Sequence, residues 1–221
     1  MSENMPITEE MLDSLRNALI DANLCGEISD KRLRHILEVE KMAARLGELY
    51  VPEKIPVLRA AALLHDITKE RSFDEQIKLC AEYDIKIGEN EYYAAKTLHA
   101  MTGAKIISKL YPEFDTDEIC ECVRWHTTGK PEMSLCEKLI YLADYIDMSR
   151  TFEDCVALRK IFFGVDILSM NSQQKKEHLD DTLLISYDMT IKGLLEKGTP
   201  ISIDTISARN ELAVKKIKRR I

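Results

Sequence analysis

Glycine and proline are scarce in this 221-residue chain, at 8 and 6. That scarcity argues against a turn-rich β-architecture, whose connections need those residues, and in favour of helices. No stretch approaches the ~20 consecutive apolar residues of a membrane span, so no membrane partner is expected. The opening "MSENMPITEE" lacks the charged-then-apolar pattern of a secretion signal. Cys25, Cys80, Cys120, Cys122, Cys136 and Cys155 therefore read as reduced thiols, mostly small core residues, in a cytoplasmic protein. "CEC" at 120–122 is too close-spaced for a zinc knuckle. The net charge of −7 lacks the basic excess that duplex binding requires, so no nucleic-acid polymer is expected. The basic tail "AVKKIKRRI" reads as a solvated helix end. Neither a Walker loop nor a GxGxxG fingerprint is present.

What the chain does have is helical periodicity almost throughout, with no run of alternating strand residues. Helices are expected at about 8–23, 30–48, 55–67, 73–83, 90–110, 116–126, 134–148, 153–162, 175–197 and from 204. Ser29 or Asp30 caps the second, and Pro56 sits in the first turn of the third. Ser134 and Glu137 form a capping box ahead of "LCEKLIYLADYID". Residues 1–29 hold an N-terminal helix, and the irregular stretch 164–181 reads as a surface excursion. With no repeat and no linker, one all-α domain over 1–221 is expected.

"RAAALLHDITKE" (59–70) ends an apolar run in His65-Asp66, and a buried carboxylate needs a compensating partner. Either ordinary hydrogen bonds or a metal supplies it. His35 shares a stripe with Val39, Met42 and Leu46; His99 lies with Ala95, Gly103 and Ile106; His126 follows Ile119, Cys122 and Val123. Asp144 sits in another apolar helix. Four imidazoles and two carboxylates on inward faces make a nitrogen–oxygen donor set suited to Fe, Mn, Zn, Ni or Co. His178, within "KKEHLDD", is expected to be surface-exposed and catalytically silent. Cations flank the set: Arg32 and Arg34 before His35, Lys69 one turn after Asp66, Arg124 and Lys130 around His126, and Arg150 after Asp144. On an acidic protein this points to a phosphate-bearing substrate.

The order His35, His65-Asp66, Asp144 resembles that of the HD-domain metallophosphohydrolases. "LLHDITK", "RWHTTGKPEMSLCEKLIYLADYID", "SR" at 149–150 and "IDTISARN" resemble the bacterial symmetrical diadenosine tetraphosphate hydrolases of that superfamily, over about residues 30–163 and 182–212. The resemblance implies an HD-domain helical bundle with His35, His65, Asp66 and Asp144 as metal ligands. The metal it implies is a divalent or mixed-valence transition metal, iron first, with Mn, Co, Ni or Zn as substitutes. Asp66 orients or deprotonates the attacking water, and His99 and His126, catalytic with it, stabilise the leaving phosphate beside Lys69 or face a second metal. Arg32, Lys69, His99, His126, Tyr145, Arg150, Thr199, Ile201 and Asp204 fall at substrate-binding positions. The implied substrate is a dinucleoside polyphosphate and the product ADP, and a homodimer is compatible with the resemblance. The alternatives are an HD phosphohydrolase for another nucleotide and a non-catalytic nucleotide sensor, which product identity and metal-dependent turnover separate.

Overall fold

The computed structural model describes residues 6–221. At its centre lies α3 (Ile55–Leu64), in which Leu58, Ala60, Ala61, Ala62, Leu63 and Leu64 are all fully buried. A helix with so many buried apolar residues needs neighbours around most of its circumference, and its alanines let them approach closely. Arg59 is its one charged residue and pairs with Glu40 and Glu9. α1 (Glu9–Leu24), α2 (Asp30–Tyr50), α7 (Asp117–Trp125) and α8 (Leu135–Ile146) pack around it. α4 (Phe73–Glu82) and α6 (Leu98–Leu110) form a flank, with Cys80, Leu98 and Met101 in a small cluster between them. α9 (Glu153–Phe163), α10 (Ser172–Glu196) and α11 (Ile203–Lys218) complete the bundle, α10 touching α8, α9 and α11. Helix ends meet at one place: the second turn of α2, the first turn of α6 and the last turns of α3, α7 and α8.

Caps set these ends. Ser29, not Asp30, caps α2 by accepting from the Arg32 amide, and Ser134 and Glu137 form the expected capping box on α8. Where a single helix over 90–110 is expected, the chain makes a short α5 (Glu89–Tyr93) and a 3₁₀ turn (Ala95–Thr97) before α6. The interruption puts His99 in the opening turn of α6.

The stretch 164–181 is largely exposed up to Gln174, but it is more regular than its sequence suggests. After a short loop and a 3₁₀ turn (Ile167–Ser169) that buries Ile167, a box of Asn171 and Gln174 starts α10 at Ser172. The polar run "SQQKKEH" conceals this, because the buried stripe of the helix begins only at Leu179. The "TTGKP" loop after α7 is pinned by Gly129, whose φ is +63° and whose Cβ, if present, would stand 1.9 Å from the Tyr187 hydroxyl of α10. All six cysteines are free thiols; Cys80, Cys122, Cys136 and Cys155 are buried, but Cys25 caps α1 in an exposed position. No described helix is long and apolar enough to cross a membrane.

Candidate metal centre

Where the helix ends meet, four imidazoles and two carboxylates face one another. His35 in the second turn of α2 places Nε2 2.9 Å from Asp144 Oδ1 and 3.6 Å from Asp66 Oδ2. His65, the C-cap of α3, places Nε2 3.4 Å from Asp66 Oδ2, 3.8 Å from Asp144 Oδ1 and 3.4 Å from His35 Nε2. On the other side of Asp66, its Oδ1 is 3.1 Å from His99 Nε2 and 3.6 Å from His126 Nε2. The sequence-predicted ligands and both additional imidazoles are thus brought together. Single donor atoms of His35, His65 and Asp144, and of His65, Asp66 and His126, each lie within 4.8 Å of one another.

The ring orientations decide which atoms are free. His65 Nδ1 is 2.6 Å from the Ala62 carbonyl, His99 Nδ1 2.8 Å from that of Lys96, and His126 Nδ1 2.6 Å from that of Val123. A carbonyl can only accept, so each Nδ1 carries the proton and each Nε2 presents a lone pair. Two such lone pairs, on His99 and His126, stand 3.0 Å apart. The Thr127 hydroxyl lies 3.1 and 2.9 Å from them and has one proton to offer. Asp66 Oδ1 is buried without a hydrogen-bond partner. Acceptors facing acceptors inside a protein are costly unless a cation lies between them. The donor set fits a divalent transition metal, with nitrogen and carboxylate oxygen and no thiolate.

Electrostatics agree with that reading. Burial alone would raise Asp66, but the charge around it, His65 first, holds its carboxyl well below the usual range. Burial likewise opposes ionisation of Asp144, and the Arg150 guanidinium and His35 overcome it. Burial pulls His35 down while hydrogen bonds to Asp144 and Asp147 raise it further, to about 9. Burial pushes His99 down to about 4 and lowers His126, so both are neutral at pH 7. Of the flanking cations, Arg32 bonds Asp66 and keeps a buried Nε without a partner. Arg150 bonds Asp144, and Lys69 Nζ lies 3.2 Å from His99 Nε2.

Three expected cations are directed elsewhere. Arg34 is exposed, Arg124 stacks 3.9 Å over Trp125, and Lys130 pairs with Glu121 at 2.6 Å and Glu137 at 2.8 Å. Tyr145 is half-buried one residue beyond Asp144. Thr199, Ile201 and Asp204 lie in or beside the link from α10 to α11, which the Ile201 carbonyl ties to Asn90 at 3.2 Å and Thr205 ties to the Thr128 carbonyl at 3.0 Å. They contribute no donor atom to the cluster. His178 is not surface-exposed: it is half-buried, stacked 5.1 Å from Phe162 and 3.0 Å from its carbonyl. Reasoning from sequence missed Asp147, which has no solvent exposure and lies 3.3 Å from His35 Nδ1. It also missed Thr127. Asp147 had a signal, a second carboxylate three residues after Asp144 in "ADYID"; Thr127 had none.

An all-helical bundle with an H…HD…D donor set at its helix ends is the arrangement of the HD domain, and residues 32–149 match that family. The chain belongs to it. It is 32% identical over 187 residues to the symmetrical bis(5'-nucleosyl)-tetraphosphatase of Halalkalibacterium halodurans, covering 84% of this chain and 90% of that protein. To the Bacillus subtilis protein of the same name it is 27% identical, covering 84% and 91%. A crystal structure from Clostridium acetobutylicum, of a predicted HD superfamily hydrolase involved in NAD metabolism, aligns with a TM-score of 0.75 at 32% identity, covering 92% of this chain and 97% of that one.

Proposed function

We propose that this protein is a metal-dependent phosphohydrolase that cleaves diadenosine tetraphosphate symmetrically, adding one water across the central phosphoanhydride and releasing two ADP. The observation that carries this reading is the convergence of imidazole lone pairs on Asp66 under three cations, Arg32, Lys69 and Arg150. The names of the relatives supply the substrate class. His35, His65, Asp66 and Asp144 are assigned to the metal, iron first, with Mn, Co, Ni and Zn suited to the same donors. When bound, the metal supplies Lewis-acid polarisation of water and phosphoryl oxygen.

The chain's own residues do the rest. Asp66, through its unpartnered Oδ1, orients the attacking water and takes its proton. His99 and His126 present lone pairs toward Asp66 Oδ1, and one of the two accepts the second O–H of that water; with Nδ1 committed to carbonyls, they have no N–H left for the leaving phosphate. That charge falls instead to Lys69, to Arg150 and to the free Nε of Arg32. Tyr145 and the Thr199–Asp204 segment receive the adenosine. The reading treats residues 1–221 as a single HD domain acting in the cytoplasm.

The test is chromatographic identification of products from diadenosine tetraphosphate with Fe, Mn or Co added. ADP as the sole nucleotide product is expected. The Clostridium acetobutylicum relative supports a second reading, and release of nucleoside monophosphates from a pyridine dinucleotide, with the tetraphosphate untouched, would put that reading in its place. Binding without turnover of either would make the protein a sensor.

A further inference from the structure

A cavity of about 510 Å³ lies away from the metal centre, at the opposite end of α8. Lys138 on its wall is six residues before Asp144, about 9 Å along the helix. Tyr50, Met133, Leu135 and Leu179 give its lining apolar surface, and Lys138, Lys175, Lys176 and Lys215 give it cations beside Ser172 and Asp180. The size is that of a small-molecule site.

The charges in the wall do not cancel. Lys138 is neutralised by Asp180 at 2.6 Å, and Lys215 pairs with Glu211. Lys175 is held only by the Leu49 carbonyl at 2.8 Å. Lys176 is exposed, with no ion pair among the described residues. The 25-residue α10 opens beside them on the neutral caps Asn171 and Gln174, with no acidic residue in its first turn. Its dipole therefore adds positive potential at the same mouth. Independently, the hydroxyl of Tyr50, in the same lining, is buried without a hydrogen-bond partner. On a chain of net charge −7, a cavity that joins a local cationic excess to apolar surface is a recognition surface for a molecule with both characters.

We infer that this cavity is a second ligand site that takes a nucleoside diphosphate. The base lies against Tyr50, Leu135 and Leu179, and the phosphates meet Lys175, Lys176 and the amino end of α10. The site shares no residue with the metal centre, so the inference stands whether or not the proposed hydrolysis does.

Equilibrium dialysis with labelled ADP on the full chain tests it, comparing wild type with Lys176→Glu and with Ser172→Glu. The second variant places an acid in the first turn of α10, which favours the helix, so its melting temperature should hold or rise while it repels phosphate. Both variants should bind one ADP fewer per chain than wild type, or bind that ADP at least tenfold more weakly. Their count should differ from wild type even if the metal centre binds no ADP at all. Equal stoichiometry and affinity in all three proteins would overturn the site. Tripolyphosphate binding there as tightly as ADP would overturn the assignment of the apolar surface to a base.

Discussion

Asp147 is inaccessible to solvent; its Oδ1 accepts from the Ser149 amide at 2.7 Å, and its Oδ2 lies 3.3 Å from both His35 Nδ1 and Arg150 Nε. With the Ser149 hydroxyl 3.3 Å from the same Nδ1, it holds the imidazole so that Nε2 faces Asp144. Asp66 is the residue on which the centre depends most. Asp66→Ala should lose metal and lower turnover by orders of magnitude while the circular dichroism stays helical; near-normal turnover in the folded variant would remove Asp66 from its assigned role. Lys69 is a cation and no ligand. Lys69→Ala should keep wild-type metal content and lose about 1.5–3 kcal/mol of substrate stabilisation, roughly ten- to hundred-fold in kcat/KM. His178 is packed against Phe162 and contributes no donor atom to the cluster. His178→Ala should leave kcat unchanged and cost about 1 kcal/mol in urea unfolding, for the hydrogen bond to Phe162. The imidazoles and the two principal carboxylates were legible because each interrupts an apolar stripe. The direction of a lysine was not: Lys130 follows His126 closely in sequence, but Glu137, buried in the capping box of α8, draws it away.

Helices carry most of what periodicity can reveal. The stripes of α2, α3, α7 and α8 and the caps at Ser29 and Ser134 place their ends within a few residues of expectation. Two boundaries escaped it. The break between α5 and α6 falls at Ala94–Thr97, without glycine or proline to mark it, so tertiary packing and not local propensity sets it. α10, expected from 175, begins three residues earlier at Ser172, where its first turn is polar on every side and carries no amphipathic signal. One connection is sterically fixed: Gly129 combines a positive φ with the Tyr187 phenol in the space of a side chain. Gly129→Ala should destabilise by about 1–3 kcal/mol from overpacking, read from the urea midpoint at constant m. A midpoint equal to wild type would mean that the loop moves freely off α10.

The whole molecule is acidic, yet its centre gathers Arg32, Lys69 and Arg150 around two carboxylates. A metal that binds the folded chain and not the unfolded one stabilises it by mass action, about 2.7 kcal/mol at a hundredfold excess over Kd. For a chain of this size that is a rise of roughly 5–10 °C in Tm between chelator-treated and metal-loaded protein, at unchanged helix content. An unchanged Tm would mean that the donors do not bind the added ion. The donors also tie the centre to the whole fold. His35 and Asp144 are separated by more than a hundred residues. The consecutive helices α2 and α3 bring His35, His65 and Asp66 together, but Asp144 joins them only from α8, so the full set of donors exists only in the finished molecule.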